Sequence, residues 1–390
     1  MTMNPFIEID YGIRPKYTTT CCGDVFLSRR QSNKEVLIAA LADGLGSGLQ
    51  ANVAASLTAT MAMEYMSAEI DLCKAAELVM DALPICPDRH ITYSTFTLVH
   101  ASVHGTVRMI EYGNPPALLI RNQQALPIPR KKLKLARWNG REMTYSQFTC
   151  QMDDRLFFSS DGITQAGLGS RDYPFGWGSD KLAETLVREV AAHPHLSARD
   201  VCHVALRQAL YLDGGIAGDD TTCAVIHFRV PRILQVLTGP PFSKAKDRSF
   251  AERVNIPNVQ TVIAGGSTAE LISRELGRPI AMSIHRLDPE IPATSEMDGA
   301  ALVTEGCITL CKVVELLEKP VDLWRENGAT RLRDLLLASD QIAFHVGTSV
   351  NPAHQDPNLP VELEMRRNLI KRLRTVLEEK YFKEVTVTFY

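Results

Sequence analysis

Apolar positions along the chain follow two rhythms, and each rhythm predicts a different element. Runs that are apolar at every second position, or at every position for a few residues, read as strands over 6–11, 21–29, 36–42, 92–102, 106–112, 117–121, 155–159 and 221–230. The stretch 36–42 is apolar throughout, which suits a strand buried on both faces. Ala, Leu, Met and Thr at helical spacing predict a helix over 49–66 and another over 72–83, the latter ended by Pro84 and Pro87. Helical spacing returns over 181–192 and 198–212. Two strand groups with helices between them make residues 1–232 a layered α+β domain. Pro231, Gly239, Pro240 and Pro241 punctuate a change of rhythm. Beyond them strand and helix alternate, so residues 236–390 read as an α/β domain with a mainly parallel sheet.

Composition narrows the classes without choosing among them. The 390 residues carry 42 Lys and Arg against 45 Asp and Glu, a net charge of -3, with 45% hydrophobic and 22% charged residues. Disorder and nucleic-acid binding through bulk charge are excluded as first readings. No apolar run approaches the ~20 residues of a membrane span, and the start lacks a basic segment followed by an apolar one. A cytoplasmic protein with no membrane segment is expected. Nine cysteines occur without a CxxC pair, so reduced thiols are expected rather than a disulfide framework or a zinc site. Cys307 and Cys311 on one helix face, and Cys21 and Cys22 in a strand, read as small buried apolar side chains. Arg130, Lys131, Lys132, Lys134, Arg137 and Arg141 make a basic stretch that reads as a loop, either a solvated face or a contact for an acidic protein partner.

Chemistry concentrates in four aspartates of the first domain. Asp24 sits in CCGDVF, Asp43 in ALADGLGSG, Asp161 in FFSSDGIT and Asp219 in IAGDDTTCAVIHF. Each adjoins or nearly adjoins a glycine at the margin of an apolar strand. Strand ends fix a side chain, and glycine lets backbone, water or ligand approach closely. One Asp-Gly is usually a turn. Four carboxylates without nearby cations would repel one another, and hard divalent cations with oxygen ligands relieve that repulsion.

The ordered set GD, ADGLGSG, FFSSDGIT and GDDTT resembles the metal-dependent PPM-type serine/threonine protein phosphatases, in the bacterial branch typified by stage II sporulation protein E. EYGNPPALLIR and FGWGSDKL add to the likeness, which covers about residues 6–230. The resemblance implies a sandwich of two antiparallel sheets flanked by helices. It implies removal of phosphate from phosphoserine or phosphothreonine by water activated between two divalent cations, manganese or magnesium. Carried over by position, Asp43 would bridge both metals and Asp161 and Asp219 would complete one site. The Gly44 carbonyl and Asp24 would serve the other, with Asp220 in support. A phosphorylated regulatory protein, such as an anti-sigma-factor antagonist, is the implied substrate, and a dimer is left open.

Departures from that pattern also matter. Eukaryotic relatives commonly have His where this chain has Leu45, so the acid for the leaving group is unassigned. His90, His100 and His104 are candidates, with a structural role as the plainer reading. Glycines 44, 46 and 48 open the helix at Leu49, as an anion site or as a tight turn. The Gly-rich stretch 162–178 reads as a flap over the site. In the second domain three strands run into glycine and hydroxyl residues: Gly265, Gly266, Ser267 and Thr268; Thr304, Glu305 and Gly306; Gly347, Thr348 and Ser349. They read either as plain turns or as a site for a small anionic ligand beyond the strand ends. The second domain resembles no family. The competing function for the whole chain is a non-catalytic signalling scaffold or a small-molecule sensor using that domain.

Overall fold

The computed structural model describes residues 5–31, 35–83, 94–135, 141–282, 288–289, 291–319, 326–349, 359–381 and 383–390. The chain divides into two compact units, Met1–Val230 and Pro231–Tyr390.

In the first unit β1 (Phe6–Arg14), β2 (Asp24–Arg30) and β3 (Val36–Gly44) precede α1 (Leu49–Ser67) and α2 (Leu72–Ala82). Strands β4 (Ser94–Ser102), β5 (Thr106–Tyr112), β6 (Leu118–Arg121), β7 (Gln124–Leu126), β8 (Lys131–Leu135), β9 (Arg141–Thr149) and β10 (Arg155–Ser159) follow. The short α3 (Asp161–Thr164), then α4 (Ser179–Ala192), α5 (Ala198–Leu212) and β11 (Thr221–Arg229) complete it. The strands form two antiparallel sheets, ordered β2-β3-β4-β5-β9-β8 and β1-β11-β10-β6-β7. The unit is thus the α-β-β-α sandwich expected of the resemblance.

Strand β3 shows why its sequence has no polar alternation. Leu37, Ala39 and Leu41 pack between the sheets with Ile7, Leu156, Phe158 and Ile226. Ile38, Ala40 and Ala42 point the other way, against Ala55, Ala59 and Ala62 of α1. Both faces are dry, so every position is apolar. Small residues on α1 let that helix lie close to the sheet. On the opposite outer face α4 and α5 cover Phe157, Cys223 and Val225 with Leu182, Leu186, Val201 and Ala205.

Three expectations change. Residues 131–135 and 141–149 of the basic stretch are not a loop but the β8–β9 hairpin at a sheet edge, where Lys132 and Lys134 pair with Glu142 at 2.8 and 3.8 Å. Lysines on an edge strand discourage pairing with other chains; Arg137 lies outside the described residues. Strand β2 begins only at Asp24, so Cys21 and Cys22 precede it, half-buried and buried respectively. The stretch 162–178 is not a free flap. It starts as α3, the Gly167 N–H donates to Asp213 Oδ1 at 2.6 Å, and Trp177 is buried in the core under α4. Gln165 and residues 168–172, 174 and 175 are exposed, Leu168 and Phe175 among them. Pro84, Pro87 and the start of the strand expected from residue 92 lie outside the described residues.

Glu8 on β1 faces His227 on β11 and pairs with Arg229. Burial pushes the Glu8 carboxyl up, but His227 and Arg229 outweigh it and hold it at about 2. A folded value below the unfolded one stabilises the fold above the unfolded pKa and loses that stability as pH falls through the folded value. The melting difference between wild type and Glu8→Gln is therefore expected to be constant above about pH 5 and to shrink between about pH 4.5 and 2. Calorimetry across that range checks it, and a difference independent of pH would refute the ion-pair account.

The second unit is built on β12 (Ile233–Thr238), β13 (Val259–Ala264), β16 (Leu302–Thr304), β17 (Gln341–Val346) and β18 (Glu384–Phe389), which pair in parallel in the order β16-β13-β12-β17-β18. Two two-residue strands, β14 (Ala281–Met282) and β15 (Ser295–Glu296), add an antiparallel edge. Helices α6 (Asp247–Ala251) and α7 (Gly266–Leu276) cover one face through Phe250, Ile263 and Ile272. The other face packs on α8 (Cys307–Glu318), α9 (Gly328–Ala338) and α10 (Leu359–Glu379) through Val262, Leu310, Leu332 and Leu373. The parallel strands thus run 3-2-1-4-5 in chain order, the doubly wound arrangement. Cys307 and Cys311 of α8 lie against this core but are half-buried rather than buried, because the helix covers the sheet with its Leu310, Val313 and Leu317 face. No helix among the described residues is long and apolar enough to cross a membrane.

Candidate functional site: a carboxylate cluster at one end of the sandwich

Each sheet of the first unit delivers two aspartate positions to the same end. Antiparallel pairing of β2 and β3 sets Asp24 directly opposite Asp43. In the other sheet Ser159 faces Cys223, so Asp161 just past β10 and Asp219 and Asp220 just before β11 emerge side by side. Ser160 ties the two sheets together: its Oγ donates to Asp24 Oδ2 at 2.7 Å and accepts the Thr222 N–H at 3.0 Å. The four aspartates picked out from the sequence are therefore brought together, with Asp220 beside them.

Glycine makes this approach possible at two points. An added Cβ on Gly44 would lie 2.0 Å from the Ala51 carbonyl oxygen of α1, and one on Gly162 would lie 2.1 Å from the Asp220 carbonyl oxygen. Both contacts are with backbone, which cannot swing aside.

The electrostatics follow from crowding carboxylates in a half-dry corner. Burial, then repulsion from Asp24, Asp161 and Asp219, pushes Asp43 up to about 9. Burial raises Asp24 to about 6 against the opposing Ser160 hydrogen bond, and burial with the Asp219 charge raises Asp161. Asp24 is 1% and Asp220 4% exposed, and Asp24 Oδ1 and Asp220 Oδ2 are buried with no hydrogen-bond partner.

These donors fit a hard divalent cation in kind. All are oxygens, they repel one another, and two buried oxygens lack any proton donor. As they stand they are adjacent in pairs; among the described residues no three His, Cys, Asp or Glu side chains converge closely enough to hold one ion. Ligation would need the carboxylates to turn inward.

Several supporting contacts escape a reading of the sequence. The Lys16 N–H donates to Asp220 Oδ1 at 2.9 Å and its Nζ lies 3.9 Å from Asp219 Oδ1. Gln165 Nε2 donates to Asp161 Oδ2 at 2.7 Å. Ser160 and Gln165 lie in or beside the FFSSDGIT motif, so a search for donors near the aspartates would have found them; nothing in the sequence marks Lys16. Among the histidine candidates, His100 stands opposite Ile38, five positions along β3 from Asp43, and bonds to Arg108 at 3.3 Å. His104 lies in the turn after β4, and His90 is outside the described residues. Helix α1 starts after Gly48 with no side-chain cap, which leaves its first N–H groups open beside the cluster.

Ser160→Ala removes the hydroxyl that donates to Asp24 Oδ2. Outer contacts of this kind are worth about 10–100-fold in metal affinity, so Mn titration by calorimetry is expected to show weakening of about that size. Unchanged affinity would remove Asp24 from the metal site.

In the second unit the predicted glycine and hydroxyl residues gather at the carboxyl ends of β13, β16 and β17. Several are already committed to structure. Thr268 Oγ1 accepts the Gly239 N–H at 2.8 Å, Glu305 Oε2 accepts the Ile308 N–H at 3.1 Å, and Thr348 donates from N and Oγ1 to the Tyr390 carbonyl at 2.9 and 2.6 Å. The Gly347 N–H closes onto the Thr238 carbonyl at 2.8 Å and that of Ser349 onto Pro240 at 3.0 Å. The Gly265 N–H donates to the Thr304 carbonyl at 2.9 Å. Left open among the described residues are Gly266 and Ser267 at the α7 N-terminus, which has no side-chain cap, and the buried hydroxyls of Thr238 and Thr304, which have no partner.

Comparison with known proteins gives distant structural likenesses and one family match. The PP2C phosphatase domain, with a fragment of the regulatory domain, of SpoIIE from Bacillus subtilis aligns at 17% identity and a TM-score of 0.49, over 58% of this chain and 64% of that one. This chain thus spans less than two thirds of that structure's length. The RsbU and RsbW domains of a Mycobacterium tuberculosis protein align at 16% identity and a TM-score of 0.49, over 65% of this chain and 68% of that one. RsbX in complex with magnesium aligns at 17% identity and a TM-score of 0.41, over 57% and 95%. No curated protein matches the chain. The sequence pattern of stage II sporulation protein E matches residues 33–229, just over half of the 390 residues and spanning three of the four aspartate motifs. The chain therefore belongs to the stage II sporulation protein E (SpoIIE) family.

Proposed function

We propose that the first unit is a manganese- or magnesium-dependent protein serine/threonine phosphatase acting on a phosphorylated regulatory protein of the anti-sigma-factor-antagonist kind. The observation that carries this reading is the meeting of Asp24, Asp43, Asp161 and Asp219, with Asp220, at one end of the sandwich, where Lys16 offsets only part of their charge and the buried Asp24 Oδ1 and Asp220 Oδ2 are unpartnered. Asp43 would be shared between two cations, Asp161 and Asp219 would hold one, and the Gly44 carbonyl with Asp24 the other. Two bound cations would acidify water as the nucleophile and neutralise the phosphoryl oxygens. The chain's own residues do the positioning. Ser160 fixes the Asp24 carboxylate, Gln165 fixes Asp161, and the Lys16 backbone fixes Asp220. The Lys16 ammonium beside Asp219 supplies a proton-bearing cation at the cluster, where Leu45 stands in place of a histidine. A cytoplasmic setting belongs to the same proposal.

Hydrolysis of p-nitrophenyl phosphate with and without Mn tests it. Wild type should require the metal, and Asp161→Asn and Asp219→Asn should each lose activity. Full activity in both variants would sink the assignment.

The second reading, a sensor for a small anion, rests on the open α7 N-terminus at the ends of a doubly wound sheet and on the unpartnered Thr238 and Thr304 hydroxyls. Thermal-shift measurements of the whole chain with inorganic phosphate and nucleotides would detect it; no shift at millimolar concentration would leave these residues as turns.

A further inference from the structure

Beside the aspartates the first unit has a cleft of about 710 Å³ between β1 and α5. Arg199, His203 and Arg207 recur every four residues and so form one stripe along α5. Asp10 and Arg14, on one face of β1, line the same cleft. Arg199 Nε is bonded to Asp10 Oδ2 at 2.9 Å, which cancels one charge of each sign. Arg14, His203 and Arg207 are exposed, and their side chains have no hydrogen bond or ion pair among the described residues. Two guanidinium groups therefore face solvent, with an imidazole beside them, and none of the three has a partner among the described residues.

The position of the cleft gives those charges a use. Arg14 faces Thr221, the residue after Asp220, and Lys16 two residues on touches both Asp219 and Asp220. A segment lying along β1 in the cleft would lead directly onto the carboxylate cluster. That cluster is negative and the chain as a whole carries -3, so neither attracts an anionic partner. Positive charge beside the site would steer and orient such a partner. Arginine forks also match carboxylates in a bidentate geometry.

We propose that the β1–α5 cleft docks an acidic segment of the phosphoprotein substrate and holds its phosphorylated residue over the aspartates. The proposal rests on the phosphatase reading for its substrate, but the docking itself does not require hydrolysis. Nucleic acid fits less well. Its affinity grows with the number of phosphates neutralised, and the cleft offers two unpaired arginines with Asp10 among them.

The test uses the whole chain and a fluorescent, unphosphorylated Glu-rich 12-residue peptide, read by anisotropy. Wild type is expected to bind it, more weakly as salt rises, and Arg14→Glu/Arg207→Glu to bind it ~10-fold or more weakly. The milder Arg207→Gln, at an exposed helix position, is expected to fall between the two. In parallel, the preference in kcat/KM for an acidic over a neutral phosphothreonine peptide should collapse in the double variant. Equal peptide binding by wild type and both variants would overturn the proposal. So would tighter binding of a 12-nucleotide RNA that the same variants abolish. Charge-dependent peptide binding without hydrolysis of any phosphopeptide would uphold the cleft and refute the phosphatase. Metal-dependent hydrolysis without it would do the reverse.

Discussion

Asp43→Asn is expected to lower metal-dependent phosphatase activity by at least ~10³-fold and, in metal-free buffer, to raise the melting temperature of the first unit. The two effects have one cause. Asp43 stands opposite Asp24 in the ladder and faces Asp161 and Asp219 as well. Like charges directly opposite in a sheet cost about 0.2–1 kcal/mol, and partial burial increases that cost. With its carboxyl held at about 9, folding at neutral pH must either protonate Asp43 or leave it repelled from three sides; the amide removes that cost, and each kcal/mol gained corresponds to about 2–4 °C in a unit of this size. The relief also removes what a cation would bind. Wild type should gain stability with Mn and the variant should not, so the order of the two melting temperatures should reverse as Mn is added. A variant that is less stable than wild type without metal would mean that the carboxylates are paired by contacts other than these.

Gly44→Ala is the second change with a large expected effect, and its mechanism is steric. The new methyl would sit 2.0 Å from the Ala51 carbonyl oxygen and 2.8 Å from its Cα. Either α1 or the end of β3 must move. Overpacking of this kind typically costs about 1–3 kcal/mol, a fall of roughly 2–12 °C, and displacement of β3 carries Asp43 with it. Gly46→Ala is the control, because a Cβ there meets nothing within 4 Å and only its φ of +97° opposes the substitution. Its cost should stay near ~1–2 kcal/mol. Equal losses in the two variants would show that backbone conformation, not the approach of α1, governs the turn.

Much of the first unit was legible because its signals are local. An unbroken apolar run at 36–42 suits a strand covered on both sides, and a helix with Ala51, Ala55 and Ala59 on one face can lie close to a sheet. Four aspartates beside glycines at strand margins marked the chemistry for the same reason. The β8–β9 hairpin was illegible because its edge lysines have the composition of a loop, and an edge strand needs charge where a central strand forbids it. The 162–178 stretch has the glycines of a flap, but a single buried Trp177 pins it, and burial is not written in a glycine count.

By itself the sequence determined which residues could carry the chemistry, since residue type and strand-end placement are properties of short segments. Only the tertiary structure decided that Asp24 faces Asp43, that Ser160 reaches Asp24 across 136 residues, and that Lys16 meets Asp220 across 204. Only it placed the α5 arginine stripe beside β1. Strand register and sheet order bring such pairs together, and both are fixed by which apolar faces can be buried at once, a condition on the whole chain rather than on any segment of it.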